Sequence, residues 1–123
     1  MKRLLIVDDE LAIVEALEDI LSLEGYDIVT AYNGDEGLQR LLASKPDLVL
    51  LDLMMPVMDG GELLRRIRAH PDLQDLPVVV MSAGRLTDEE RRASSHFLAK
   101  PFELDDLLGT IAKQLPSEER LRA

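Results

Sequence analysis

The sequence contains no cysteine, and aromatic residues make up only 3% of it. Without cysteine there is no disulfide, no thiolate metal site and no catalytic thiol to propose. With only Tyr26, Tyr32, Phe97 and Phe102 able to stack on a ring, a flavin-binding electron carrier is a poor reading. Basic residues are outnumbered: 14 Lys and Arg stand against 24 Asp and Glu, for a formal net charge of −10. Direct nucleic-acid binding is therefore not expected, because a phosphate backbone attracts clustered cations. The one basic run, Arg65, Arg66 and Arg68, is expected on the wet face of a helix. No apolar run approaches the length that spans a membrane. Lys2 and Arg3 precede only Leu4 to Val7 before Asp8, Asp9 and Glu10 interrupt, so no signal peptide is read. A soluble, cytoplasmic chain is the expectation.

At 123 residues the chain is long enough for one core, and 46% hydrophobic with 31% charged residues is an ordinary globular balance. Leu4–Val7, Leu48–Leu51 and Val78–Met81 are short continuous apolar runs, the pattern of strands covered on both faces. Ile28–Ala31 and Phe97–Ala99 are shorter and suit edge positions. Between them lie helical periodicities. Ile13, Leu17, Ile20 and Leu21 share one face, with Gly25 as a stop. Leu38, Leu41 and Leu42 follow a capping pair, Asn33 and Glu36. Leu63, Leu64 and Ile67 mark a third helix, and Leu104, Leu107, Leu108, Ile111 and Leu115 a last one. Only Thr87 to Ala93 is available for a fourth, which lacks an apolar face.

Strand and helix alternate five times, which predicts an α/β, doubly wound, five-stranded parallel sheet with helices on both faces. In that architecture ligands sit at the carboxyl ends of the strands. Asp8 and Asp9 follow the first strand, Asp52 ends the third, Ser82 the fourth, and Lys100 follows the fifth. Each alone has a plain reading: a helix cap for Asp8 or Asp9, a strand end for Asp52, a turn for Ser82, a solvated chain for Lys100. Their coincidence at four strand ends is not explained that way, since gathered carboxylates repel and desolvate one another. A hard divalent cation relieves that cost, and magnesium takes carboxylate, water and phosphate oxygens. Asp9 and Asp52 could supply oxygens directly, Asp8 could hold a bound water, and a carbonyl just after Asp52 could add another. Lys100 would place a fixed positive charge beside a transferring phosphoryl group.

The chain resembles the response-regulator receiver family, whose fold is that of the chemotaxis response regulators, over nearly its whole length. The resemblance rests on Leu5-Ile6-Val7-Asp8-Asp9-Glu10, on Pro46-Asp47-Leu48-Val49-Leu50-Leu51-Asp52-Leu53-Met54-Met55-Pro56-Val57-Met58-Asp59-Gly60, on Val78-Val79-Val80-Met81-Ser82-Ala83 and on Lys100-Pro101-Phe102. It implies a flavodoxin-like strand order, 2-1-3-4-5, with residues 1–115 as the receiver and 116–123 as a polar tail or linker stub. It implies Asp52 as phosphoacceptor and Asp8, Asp9, Asp52 and the Met54 backbone carbonyl as ligands of Mg2+, with Mn2+ as a possible substitute. Ser82 would be the switch hydroxyl beside the Ala83 amide, Lys100 the phosphoryl-contacting cation, Phe97 the aromatic switch, and the bond to Pro101 cis. A sensor histidine kinase or histidine phosphotransfer protein would be the donor, and an output partner or domain the reader.

Two features depart from the family. The stretch from Ser82 to Lys100 is shorter than usual, with Ser94-Ser95-His96 replacing a small Gly-Ala step, so the fourth helix is expected to be short or irregular. Phe97 lacks the phenolic hydroxyl of the commoner tyrosine. Two other readings compete with this one. A pseudo-receiver with changed output fits the short fourth helix but not the complete acidic site. A phosphohydrolase would need a second carboxylate two residues after the nucleophile, and Met54 stands there. His70 and His96 read as surface residues, and Met54, Met55 and Met58 as packing.

Overall fold

The computed structural model describes residues 2–55 and 57–115. The expected tail, 116–123, lies outside the described residues. Five strands, β1 (Arg3–Val7), β2 (Asp27–Ala31), β3 (Leu48–Asp52), β4 (Val78–Ser82) and β5 (His96–Ala99), alternate with five helices. The helices are α1 (Leu11–Leu23), α2 (Gly34–Ala43), α3 (Gly60–Ala69), α4 (Asp88–Ala93) and α5 (Leu104–Gln114). All strand pairings are parallel, in the order β2-β1-β3-β4-β5. The two less apolar segments are indeed the edges.

The central strands β3 and β4 are buried at every position, because side chains alternate between two covered faces. On one face Leu5, Val7, Val49, Leu51, Val78 and Val80 pack with Leu41, Leu63, Leu64 and Ile67 of α2 and α3. On the other Leu4, Ile6, Leu48, Leu50, Val79 and Met81 pack with Val14, Leu17 and Leu21 of α1 and Leu107 and Ile111 of α5. Leu104 departs from the expected stripe: it is 44% exposed, at the first turn of α5 before the helix meets the sheet.

Local signals set the helix ends. α1 stops in a Schellman motif, with Tyr26 N–H donating to the Leu21 carbonyl, Gly25 N–H to that of Ser22, and Gly25 at φ +94°. The Asn33 side chain accepts from Glu36 N–H, while Glu36 reaches back to Tyr32 N–H rather than to its own cap. The fourth helix is short, as expected: α4 spans six residues and buries none of them. It forms because Thr87 and Glu90 make a full capping box.

Arg68 corrects the expectation of a solvated basic run. Arg65 and Arg66 do pair with Glu62 on the surface. The Arg68 guanidinium instead turns inward and donates to the carbonyls of Ala93, Gln74 and Leu76 at 2.7, 2.8 and 2.7 Å. Those carbonyls lie at the end of α4 and in the α3–β4 connection. A planar fork of donors satisfies them together.

Candidate functional site

Parallel pairing brings the carboxyl ends of β1, β3, β4 and β5 to one edge, and the chemistry-bearing residues arrive with them. Carboxylate oxygens of Asp8, Asp9 and Asp52 lie within 4.8 Å of one another. Asp8 is fully buried, Asp52 is 4% exposed, and Asp9 is exposed. The capping reading of Asp8 fails in detail: Glu10 is the N-cap of α1 and makes no side-chain cap. Asp8 Oδ1 instead accepts from Glu10 N–H at 2.9 Å, a turn two residues long that aims the carboxylate across the sheet edge.

Lys100 Nζ donates to Asp8 Oδ2 at 3.1 Å and lies 3.5 Å from Asp52 Oδ1. Its backbone is held in place by Lys100 N–H donating to the Ser82 carbonyl, which extends the β4–β5 ladder one step. The Lys100–Pro101 peptide bond is cis, as the resemblance implied. Ser82 is 3% exposed, and its Oγ accepts from Gly84 N–H at 3.1 Å. Ala83 stands exposed at the rim.

Burial, then the charge of Asp8, raises the Asp52 pKa; Lys100 and the Met54 backbone amide pull it back, and Asp9 adds to the rise. Burial lowers the Lys100 pKa, but the hydrogen bond and charge of Asp8, with Asp52 and Glu10, outweigh it and leave a net rise. Lys100 thus stays charged and cancels one of the three clustered negative charges. Two remain, the charge of one divalent ion. The donors are all oxygen, with no nitrogen or sulfur among them, which suits a hard cation rather than a soft one.

Two cavities flank this cluster. One, about 410 Å³, is lined by Asp9, Leu53, Met54, Met55 and Asp59. The other, about 420 Å³, lies between α1 and the β5–α5 connection and is lined by Ile13, Ala16, Leu17, Ala83, Lys100, Pro101 and Phe102. Met54 departs from the packing expectation: it is 75% exposed, on the β3–α3 connection at the cleft that Asp9 and Asp59 also line. Met55 and Met58 do pack, half-buried, against the core. Phe97 is not brought to the carboxylates. It lies two residues short of the end of β5 and packs, half-buried, against the core on the face that carries α2 and α3. His96 is exposed; His70 caps α3 and accepts from Asp72 N–H through Nδ1.

Asp59 and Gly60 belong to the stretch that carries the resemblance, but the sequence alone assigns them no role. The Asp59 side chain caps α3 by accepting from Glu62 N–H. Gly60 N–H donates to the Leu53 carbonyl, and a Cβ there would overlap the Asp52 carbonyl oxygen. The Asp-Gly pair ahead of an apolar periodicity was the available signal.

Comparison with known proteins follows the same lines. The sequence profile of the response regulator receiver domain matches residues 4–112. Response regulator MprA of Mycobacterium ulcerans is 40% identical over 111 residues, covering 86% of this chain and 47% of its own length. Transcriptional regulatory protein DltR of Streptococcus agalactiae is 34% identical over 125 residues, covering 98% of this chain and 55% of its own. The chain thus spans about half the length of the curated relatives it matches. Among solved structures, response regulator TrrA of Thermotoga maritima, in complex with Mg(2+)-BeF, superposes with a TM-score of 0.85 at 37% identity, covering 94% of this chain and 100% of that one. Chemotaxis response regulator CheY4 of Vibrio cholerae gives 0.87 at 28%, covering 94% and 99%. This chain belongs to the response regulator receiver domain family, the signalling domains of two-component systems.

Proposed function

We propose that this domain is a magnesium-dependent switch in which Asp52 accepts a phosphoryl group from a sensor histidine kinase or a histidine phosphotransfer protein. The observation that carries the reading is the buried pair Asp8 and Asp52 bridged by the half-buried Lys100, with Asp9 at the mouth. The solved relative in complex with Mg(2+)-BeF supports magnesium as the ion; manganese, with the same taste for oxygen, is a possible substitute. Asp8, Asp9, Asp52 and the Met54 carbonyl would hold it, and bound there it supplies charge neutralisation for phosphoryl oxygens.

The steps on the chain's own residues are few. An oxygen of Asp52 forms the new bond to phosphorus as the donor's nitrogen–phosphorus bond breaks, and the freed electron pair returns to the histidine ring. Lys100, already charged between Asp8 and Asp52, pairs with a phosphoryl oxygen. Ser82 exchanges its Gly84 contact for the phosphoryl group, aided by the Ala83 amide, and Phe97 follows into the space vacated. That rearrangement changes the face that an output partner or domain reads. The domain acts once per phosphorylation and is a signalling element rather than a turnover enzyme, since Met54 offers no second carboxylate. Its place is the cytoplasmic side, without direct contact to nucleic acid or membrane; among the described residues no helix is long and apolar enough to cross one.

Incubation with acetyl phosphate and magnesium, read by intact mass, tests the reading. One adduct per chain is expected in wild type and none in Asp52→Ala. An adduct that survives that substitution, or forms equally well with the metal chelated, sinks it.

A further inference from the structure

The first N–H groups of a helix have no partner within it. In α2 the amide of Glu36 is taken by the Asn33 side chain at 2.8 Å. The amide of Gly34, the first residue of α2, leaves the helix altogether and donates to the carbonyl of Met58 at 2.9 Å. Met58 lies in the 53–59 connection, between Asp52 and α3. The approach is so close that a Cβ on Gly34 would overlap the Met58 carbonyl oxygen and come within 2.8 Å of its Cβ and Cγ. Only glycine fits.

The connection needs an anchor there. Val57, the residue before Met58, has φ +68°, a left-handed conformation that a β-branched residue adopts only when its surroundings impose it. Val57 itself is 85% exposed, so its own side chain imposes nothing. The hold comes from Met58, through its carbonyl on Gly34 and its half-buried side chain on the core. At the other side, Gly60 N–H fastens the connection to the Leu53 carbonyl at 3.0 Å. Two glycines from two helices therefore clamp the segment that carries Met54 beside Asp52.

We propose that Gly34 is a positioning residue for the acceptor site: by docking the start of α2 on Met58 it sets how tightly the acidic cluster holds its divalent ion. The inference rests on the reading that Asp8, Asp9, Asp52 and the Met54 carbonyl bind that ion. A purely structural glycine is the alternative, and α2 supplies its own control. Gly37 is also buried, and a Cβ there would meet Leu63 Cδ2 at 3.0 Å and Val7 Cγ2 at 3.2 Å, in the core and away from the connection.

Magnesium affinity is measured by titration calorimetry on the whole chain, with melting temperatures in chelator, for wild type, Gly34→Ala, Gly37→Ala and Met58→Ala. Gly34→Ala should bind magnesium about tenfold more weakly, the scale seen when groups that orient metal ligands are lost. Gly37→Ala should melt lower yet keep wild-type affinity. Met58→Ala trims the anchor without a clash and should weaken binding severalfold, which carries the test if Gly34→Ala does not fold. Wild-type affinity in Gly34→Ala, or in Met58→Ala where the former is unfolded, overturns the proposal. So does an equal loss in Gly37→Ala. A wild type that binds magnesium but takes no phosphoryl group sinks the acceptor reading alone, and the titration still decides this one. A wild type that binds no magnesium sinks both.

Discussion

Asp52 stands folded with a pKa above the ordinary carboxylate value, first through burial and then through the charge of Asp8. A group whose folded pKa is raised binds its proton more tightly in the folded state. Its contribution to stability is therefore full at low pH and is lost as pH rises through the raised value. Lys100 is raised as well and remains charged through neutrality, so it adds no slope there. The metal-free domain should accordingly weaken because of Asp52 as pH rises above the ordinary carboxylate range. Asp52→Asn keeps the shape and removes the charge; it should melt higher than wild type at neutral pH in chelator and lose part of that slope. A melting temperature at or below wild type would contradict the argument. Met54 raises a different point, the lifetime of the phosphorylated form. Its thioether is exposed over the cleft and neither orients nor activates water. A Cβ at Gly84, across the cleft, would meet only Ser82 Oγ, at 3.9 Å, so that side is open too. Water enters without being positioned, and orientation limits hydrolysis. Met54→Glu should shorten the lifetime severalfold, measured as decay of the adduct at fixed magnesium; unchanged decay would show that this position does not govern water.

At the scale of elements, α4 is the weak member. It has six residues and none of them is buried, so its position depends on its ends. The capping box of Thr87 and Glu90 fixes the start, and Arg68 takes the last carbonyl, that of Ala93. The same guanidinium holds Gln74 and Leu76 in the α3–β4 connection, tying α4 to α3 through one side chain. Removing it strips charged donors from partly buried carbonyls, a loss of about 2 kcal/mol or more. Arg68→Ala should lower the unfolding free energy read from urea denaturation by that amount and speed amide exchange across residues 88–95. Arg68→Lys should restore little, since a point charge cannot reach three carbonyls in one plane. Thr87→Ala should cost about 1 kcal/mol, the usual worth of a cap, confined to α4. Protection of α4 unchanged in Arg68→Ala would show that the helix is held by something else.

For the whole molecule, the sheet decides both where charge gathers and what relieves it. Two separate cores, one on each face, hold the strands in register. They force Asp8, Asp52 and Lys100 together at one edge although Asp8 and Lys100 are 92 positions apart. A ligand that binds only the folded state adds stability by mass action, about 2.7 kcal/mol at roughly a hundredfold excess over its dissociation constant. Saturating magnesium should raise the melting temperature of wild type by several degrees at neutral pH. Asp9→Ala should lose most of that rise. An equal rise in Asp9→Ala would place the ion elsewhere on this acidic surface.

The linear order of residues determined the layers of this fold because two-sided burial leaves a mark in sequence. Leu48–Leu51 and Val78–Met81 read as interior strands since every position must be apolar, and they are buried throughout. Residues at the ends of those runs could be assigned to one edge, since parallel strands point one way. The short stretch from Ser82 to Lys100, with only Thr87 to Ala93 free for a helix, likewise foretold a short α4. Surfaces that meet from distant parts of the chain left no such mark. Arg68 looked like its neighbours Arg65 and Arg66 until the α3–β4 connection and the end of α4 closed over it. Leu42 and Leu104 looked like members of buried stripes and are exposed, because hydrophobicity says that a side chain can be buried and not that something will cover it. Gly34, next to the capping residue Asn33, carried no mark of its own, and only tertiary packing set it against Met58. Lys100 could be placed near the carboxylates by order alone. That it donates to Asp8 at 3.1 Å and stands 3.5 Å from Asp52 was decided by the β4–β5 ladder and the packing of both cores, which together fix distances that spacing in sequence does not encode.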